Sequence, residues 1–319
     1  MLKDGFGRTI ETLRVSITDR CNLKCLYCTI NQDTVFLPKH RIMTYEEIMK
    51  ISRILLDLGL SRIKLTGGEP LIRKDLPKLI EKLASLNEVK DLSLTTNGTM
   101  LTSFMAKILK EAGLHRLNIS LDSLNPYTYR RITGGKLNDV LRGIDNAIES
   151  GFNPVKINTV LLKNINDSEI FDILNFAVEK SLTIRFIEEM PFSKTPYSGV
   201  SNDTVFSMLK PYLETDKVVK DDKSPGPAVT FKVKGSNAKI GFISPFSRPF
   251  CMKCNRIRLS TDGKILPCIA TNKGVDILSM IRNHSPDQII IDKIKESLMG
   301  KKLMHDGFKN PLKMNLLGG

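Results

Sequence analysis

Two groups of three cysteines are the residues in this chain whose type and spacing most directly imply chemistry. Cys21, Cys25 and Cys28 stand at C-x3-C-x2-C spacing. Three thiolates on one short loop hold three irons of a four-iron cluster, because such clusters are carried by cysteine sulfur. The fourth iron then has no protein ligand, and a small molecule can bind and react there. The competing donor set is a closed Cys3His zinc site completed by His40, since structural zinc takes four nitrogen or sulfur ligands. The gap to His40 is longer than zinc-finger spacing, which favours the open cluster.

The second group is Cys251, Cys254 and Cys268, again with no fourth cysteine. Zinc with His284 or His305 as the extra ligand is one reading. A second cluster beside Arg256 and Arg258 is the other. Residues two apart on a strand share a face, and two guanidiniums on one face form a bidentate clamp for phosphate oxygens.

Between these groups lies Thr66-Gly67-Gly68-Glu69-Pro70. Two glycines permit close approach to the backbone, so their amides and carbonyls are expected to face a charged amino-acid group of a ligand. Alone, this is a turn.

These residues need elements to position them. From Leu13 to about Glu188, β-branched runs alternate with amphipathic stretches. Strands are expected at 13–17, 62–66, 91–95, 116–121, 155–161 and 183–187. Helices are expected from a Thr44/Glu47 capping box to Gly59, after an Asp75 cap, and over 103–111, 137–150 and 167–180. Six β-then-α units imply parallel strands with helical crossovers, hence a partial (β/α)6 barrel of the TIM type, left open. Chemistry in such folds sits beyond the C-terminal strand ends. Cys21–Cys28, Gly67–Gly68, Thr95–Asn97, Ser120 and Glu188–Met190 all fall there, which places them on one rim.

After Pro191 the alternation stops. A helix near 204–212, a loop at 221–227, strands at 229–233, 240–243 and 256–259 and a lysine-rich, weakly helical tail follow. This third is too short and irregular for an independent core. It is expected to pack over the barrel's open side, dividing the chain into a barrel (1–200) and a C-terminal region (201–319) that carries the second metal group.

Composition narrows the function classes. Six cysteines without a secretory leader argue for metal or catalytic use rather than a disulfide framework, and the charged opening residues Met1–Arg8 for the cytoplasm. The apolar runs are too short for a membrane span. A net charge of +14 suits an anionic partner. Aromatics are only 6% with no Trp, so the stacking platforms of single-stranded nucleic-acid grooves are lacking, and a small anion is favoured over nucleic acid.

The C-x3-C-x2-C loop after the first strand, Tyr27 before its last cysteine and Gly67-Gly68-Glu69-Pro70 after the second strand resemble the radical S-adenosylmethionine (SAM) enzymes. The second group, Cys251-Met-Lys-Cys254-Asn-Arg256-Ile-Arg258, together with Arg14-Val-Ser-Ile-Thr-Asp-Arg-Cys21 and the terminal Gly318-Gly319, resembles the GTP 3′,8-cyclase family within that superfamily. The resemblance runs from Gly5 to the last residue. It implies two 4Fe-4S clusters, and SAM against the first, contacted by Tyr27, Gly68, Ser120 and Met190. It implies GTP against the second, held by Arg14, Lys64, Thr95, Lys156, Arg256 and Arg258, with the Gly318-Gly319 tail folded into the active site. The implied chemistry is abstraction of the ribose 3′ hydrogen, attack of that carbon on guanine C8, then reduction and protonation. It further implies a homodimer, an electron donor, and a following enzyme that completes the pterin ring of the molybdenum cofactor. Two other readings compete: a radical SAM enzyme acting on a peptide, and a basic, zinc-stapled nucleic-acid-binding protein. Lys64 stands where many members of the family have arginine, which keeps the charge but loses the fork. The loop between Cys28 and Leu37 is shorter than in familiar members, and Lys313-Met-Asn-Leu-Leu lacks the arginine some relatives carry near the tail.

Overall fold

The computed structural model describes residues 1–28, 34–190, 197–219, 226–307 and 313–318. Six strands alternate with helices in its first part: β1 (Thr12–Ser16), β2 (Arg62–Thr66), β3 (Asp91–Thr96), β4 (Arg116–Ser120), β5 (Lys156–Val160) and β6 (Thr183–Ile187). The helices are α1 (Tyr45–Asp57), α2 (Leu76–Ala84), α3 (Ser103–Glu111), α4 (Pro126–Thr133), α5 (Leu137–Glu149) and α6 (Ile170–Glu179).

The local signals act much as the residues suggest. Thr44 accepts from the Glu47 amide while the Glu47 carboxylate accepts from Thr44 N–H, closing the capping box of α1. In α5, Leu137, Val140, Ile144 and Ala147 form one buried stripe, and each large aliphatic side chain removed from water stabilises by about 1.5–3 kcal/mol. Asp75 departs from expectation. It sits before α2 in the left-handed region (φ 59°) and makes no cap bond, pairing instead with Lys78 at 2.8 Å. Helix α4 went unrecognised in the sequence; its signal is Asn125-Pro126, where the Asn125 side chain accepts from the amides of Tyr127 and Thr128.

The C-terminal third adds α7 (Asn202–Leu209), β7 (Leu213–Glu214), β8 (Val229–Val233), β9 (Lys239–Ile243), β10 (Arg256–Leu259), β11 (Lys264–Leu266), β12 (Val275–Asp276), α8 (Ile277–Arg282), α9 (Asp287–Met299) and α10 (Met314–Leu317). It was expected to pack over the open side. Instead it extends the same sheet at both edges, in the order β12-β11-β10-β1-β2-β3-β4-β5-β6-β9-β8-β7. β10 lies parallel to β1 and β9 parallel to β6, so eight parallel strands are flanked by antiparallel ones. The physical reason is that β1 and β6 would otherwise be bare edges in a barrel of six strands. The sheet stays open, and one buried apolar cluster includes residues from every part of it. The tail over 287–299 is a full helix, with Ile290, Ile294 and Leu298 buried.

Period-2 alternation divides the parallel sheet into two faces. Leu13, Val15, Ile63, Leu65, Leu92, Leu94, Leu117, Ile119, Ile157, Ile184, Ile240 and Ile257 are buried on the helix-covered face. The opposite face carries mostly polar residues, among them Arg14, Lys64, Ser93, Asn118, Asn158, Arg185 and Arg258, with Val160, Ile187 and Ile243 at strand ends, and both cavities described below lie on it. Among the described residues, no helix is long and apolar enough to cross a membrane.

Candidate active site

The first cavity lies at the C-terminal strand ends. Cys21, Cys25, Tyr27, Cys28, Gly67, Gly68, Thr95, Ser120, Glu188, Glu189 and Met190 all line it, so the residues expected on one rim are brought together. Its cysteines form no disulfide and are half-buried. Cys21 Sγ accepts from the Leu23 amide at 3.4 Å and from Asn97 Nδ2 at 3.8 Å. Burial raises the Cys21 thiol to about 11 and pushes the Cys25 thiol up as well, so a metal held here must displace their protons. Tyr27 donates to Asp122 Oδ2 at 2.6 Å. Burial pushes Asp122 up to about 6, against the hydrogen bonds from Tyr27 and the Val160 amide.

The Gly-Gly-Glu-Pro segment borders the cavity through Gly67 and Gly68 and also holds the fold together. A Cβ on Gly68 would lie 2.2 Å from the Arg20 carbonyl oxygen, and one on Gly67 2.4 Å from that of Thr18. The amides of Gly68 and Glu69 donate to those two carbonyls, each at 2.7 Å. The glycines therefore dock the cysteine loop onto β2. Glu69, fully buried, accepts from the Leu71 amide, from Thr96 Oγ1 (2.7 Å) and from the Asn97 amide (2.7 Å). It locks the end of β2 to the end of β3 and so aims Asn97 at Cys21. Nothing in the sequence beyond the motif singles out this role.

The second cavity lies deeper on the same face. Cys251, Cys254 and Cys268 line it with Arg14, Lys64, Thr95, Arg256 and Arg258. Arg185 and Lys301 also line it and were missed; for Arg185 a basic residue in mid-strand was the only signal, and Lys301, just past the end of α9, carried none. Register explains the convergence, since Arg14 pairs with Lys64 on one side and Arg258 on the other. Arg185 Nη2 donates to Asn118 Oδ1 at 2.6 Å, and Arg256 stacks on Phe250, 4.7 Å from the ring centre. Burial, then the guanidiniums of Arg185 and Arg14, lowers Lys64 to about 7. Burial raises the Cys254 thiol, but Arg256 and Lys301 outweigh it and hold the group at about 7. Lys156 is buried on the same face, in register with Asn118 and Thr183, but it is not part of the wall.

The zinc readings lose their fourth ligand. His40 is exposed and borders neither cavity, and neither does the exposed His284. His305 does line the second cavity, yet its Nδ1 accepts from the Gly307 amide and Nε2 faces the Pro245 carbonyl at 2.9 Å, which leaves no lone pair for a metal. Among the described residues, no three His, Cys, Asp or Glu side chains converge on one metal ion. A four-iron cluster takes one thiolate per iron and does not need that convergence.

The cavities differ in charge. Asp122, Glu188 and Glu189 line the first, with no Lys or Arg. Arg14, Lys64, Arg185, Arg256, Arg258 and Lys301 line the second, with no Asp or Glu. Thr95, Asn158, Ile187 and Met190 border both. The tail passes beside them: Met314 and Asn315 line the first cavity, and Gly318 packs against Thr66 and Gly67. Gly319 lies outside the described residues, as do 29–33 in the shortened loop and 220–225 in the expected 221–227 loop.

An open parallel sheet with a cysteine triad at its C-terminal rim is the architecture of the radical SAM superfamily, which matches residues 15–177, while the Molybdenum Cofactor Synthesis C family matches 182–307. Streptococcus suis SuiB, in a crystal structure bound to S-adenosylmethionine, shares the fold with a TM-score of 0.65 and 16% identity over 92% of this chain and 68% of that one. Proteins named GTP 3′,8-cyclase from Petrotoga mobilis and Thermodesulfovibrio yellowstonii are each 41% identical, covering 99% and 100% of both chains respectively. The chain belongs to the GTP 3′,8-cyclase family.

Proposed function

We propose that this protein converts GTP and SAM to (8S)-3′,8-cyclo-7,8-dihydroguanosine 5′-triphosphate, 5′-deoxyadenosine and methionine, the first step of molybdenum cofactor biosynthesis. One observation carries the reading: an acidic cavity and a basic cavity, each with a cysteine triad, adjoin on one face of one sheet. SAM carries a sulfonium and an ammonium, which suits the carboxylates of the first. GTP carries a triphosphate, which suits the six cations of the second.

Cys21, Cys25 and Cys28 hold one 4Fe-4S cluster, and Cys251, Cys254 and Cys268 the other. Held by Cys21, Cys25 and Cys28, such a cluster, once reduced by an external donor, would supply the one electron that breaks the sulfonium carbon–sulfur bond of SAM and releases methionine. Tyr27, Gly68, Ser120 and Met190 orient SAM. Arg14, Lys64, Arg256 and Arg258, with Arg185, grip the phosphates, and Thr95 at the shared border faces the ribose. Lys156 acts from behind the wall by its charge. Residues 1–200 thus generate the radical, while 201–319 present the substrate, with the Gly318-Gly319 tail between them. The protein works as a cytoplasmic homodimer whose product passes to the enzyme that completes the pterin ring.

The test is anaerobic reconstitution followed by incubation with SAM, reductant and each nucleoside triphosphate in turn. GTP alone is expected to yield 5′-deoxyadenosine together with the cyclised nucleotide. If no nucleotide is consumed while SAM is still cleaved, the substrate assignment fails.

A further inference from the structure

Beyond adding to the positive charge of the second cavity, Lys301 has no assigned part above, yet it is one of the most deeply buried charges among the described residues, 3% exposed. Its Nζ donates to the carbonyl oxygens of Arg256 (2.6 Å) and Pro267 (2.5 Å). No carboxylate pairs with it among the described residues. A buried ammonium held only by carbonyl dipoles is costly unless an anion compensates it. The nearby groups that favour its charge are Cys254 and Cys268, which carry negative charge only as thiolates, while Arg8 and Arg256 oppose it.

The two carbonyls that Lys301 grips are not arbitrary. Arg256 lies two residues after Cys254, and Pro267 immediately precedes Cys268. One ammonium thus ties together the chain segments that carry two of the three cysteines. The third is tied by the neighbouring residues of the same segment. Arg8, paired with Asp4, donates from Nη1 to the Cys251 carbonyl (2.6 Å) and to that of Leu303 (3.1 Å), and from Nη2 to that of Lys302 (2.8 Å). Lys301–Leu303 and Arg8 therefore brace the whole second triad.

We infer that Lys301 is a positioning residue of the second metal centre, which sets the spacing of its cysteines and, by its charge, makes that centre easier to reduce. The inference rests on the assignment of a 4Fe-4S cluster to Cys251, Cys254 and Cys268. A cluster held by three thiolates gains negative charge on reduction, and a fixed cation nearby favours that state. Outer partners that hold ligands in place commonly govern how well a metal is kept.

The experiment uses the full chain with Cys21, Cys25 and Cys28 all changed to Ala, so that any iron reports on the second triad alone. The parent should bind about four irons per chain. Lys301→Gln keeps a donor for the carbonyls and removes the charge; it should retain most of the iron, with the midpoint potential moved to a more negative value. Lys301→Met removes both and should lose at least half the iron. Lys301→Arg restores the charge and should bring the potential back towards the parent. Circular dichroism of each variant checks that the chain is folded. If Lys301→Gln keeps the parent's potential and Lys301→Met keeps its iron, the inference is overturned while the second cluster stands. If the parent itself binds no iron, the assignment of the cluster fails, and the inference with it.

Discussion

Arg258 donates from Nη1 to the carbonyl oxygen of Gly318 at 3.0 Å. One of the two arginines expected to clamp phosphate is thereby shared with the tail, which sits at the junction of the two cavities. The Leu316 carbonyl accepts from the Thr261 amide (3.0 Å), and Asn315 Nδ2 donates to the Asp19 carbonyl (3.2 Å). The tail is thus fastened to both cysteine-bearing halves, and the position of Arg258 depends on it.

Gly318→Ala should unseat this tail. Gly318 has φ +71°, and a Cβ there would lie 2.1 Å from Thr66 Cγ2. With ψ at 135° this backbone lies outside even the small left-handed well that other residues visit, which costs an L-residue about 1–3 kcal/mol, and the overlap adds more. Product formation is expected to fall at least tenfold with iron content unchanged, and limited proteolysis should cleave the tail faster. Wild-type turnover in this variant would refute the tail's role.

Gly68→Ala should separate the two triads. The added methyl would meet the Arg20 carbonyl, a backbone atom that cannot rotate away. Overpacking of this kind typically costs about 1–3 kcal/mol, and here it lifts the loop that carries Cys21, Cys25 and Cys28. Iron is expected to fall from about eight to about four per chain. Retention of all the iron would show that the loop docks without this contact.

Glu69→Gln tests the link between β2 and β3. The carboxylate accepts hydrogen bonds on both oxygens, from Leu71, Thr96 and Asn97, whereas an amide must aim N–H at one of these donors. Leaving a buried donor unpaired costs about 1–3 kcal/mol. A lower melting temperature is expected, together with weaker SAM binding because Asn97 loses its anchor. An unchanged melting temperature would contradict it.

GTP affinity should fall as pH rises above 7. Lys64 is held at about 7 by burial and by its cationic neighbours. A bound triphosphate brings negative charge and raises that value again, so the complex holds more protons than the free protein above pH 7. By linkage, affinity then drops by up to about tenfold per pH unit until the raised value is passed. Calorimetry at pH 7.5 in two buffers of different ionisation enthalpy should detect proton uptake, and Lys64→Gln should abolish it. Equal uptake in that variant would assign the proton to another group.

The Arg256 and Arg258 guanidiniums should differ when removed. Arg256→Ala takes away a stacked group that faces only the second cavity, and should weaken GTP binding about tenfold or more with SAM cleavage without GTP unchanged. Arg258→Ala should also loosen the tail, so its tail should be cut faster by protease. Identical proteolysis patterns would dissociate Arg258 from Gly318.

Local chemistry was legible in the chain because it is written in near neighbours. The spacing of Cys21, Cys25 and Cys28, the capping box at Thr44 and Glu47, and the alternation of β2 and β6 depend on residues a few positions apart. Those signals sufficed for the open α/β barrel, the rim, and most of the residues brought together on it. What only the tertiary structure decided depends on pairings between residues far apart. Strands β9 and β10 join opposite edges of the sheet, and their short runs carry no mark of which edge each takes. Arg185 on β6 and Lys301 just past α9 line the second cavity, whereas Lys156 on β5, an equally basic residue, does not. Gly67 and Gly68 look like a ligand cradle in sequence, and only the structure shows that a Cβ at either would also strike the backbone leading into the cysteine loop. Spacing says which atoms can bind iron; only packing says which surface those atoms, and the charges around them, come to share.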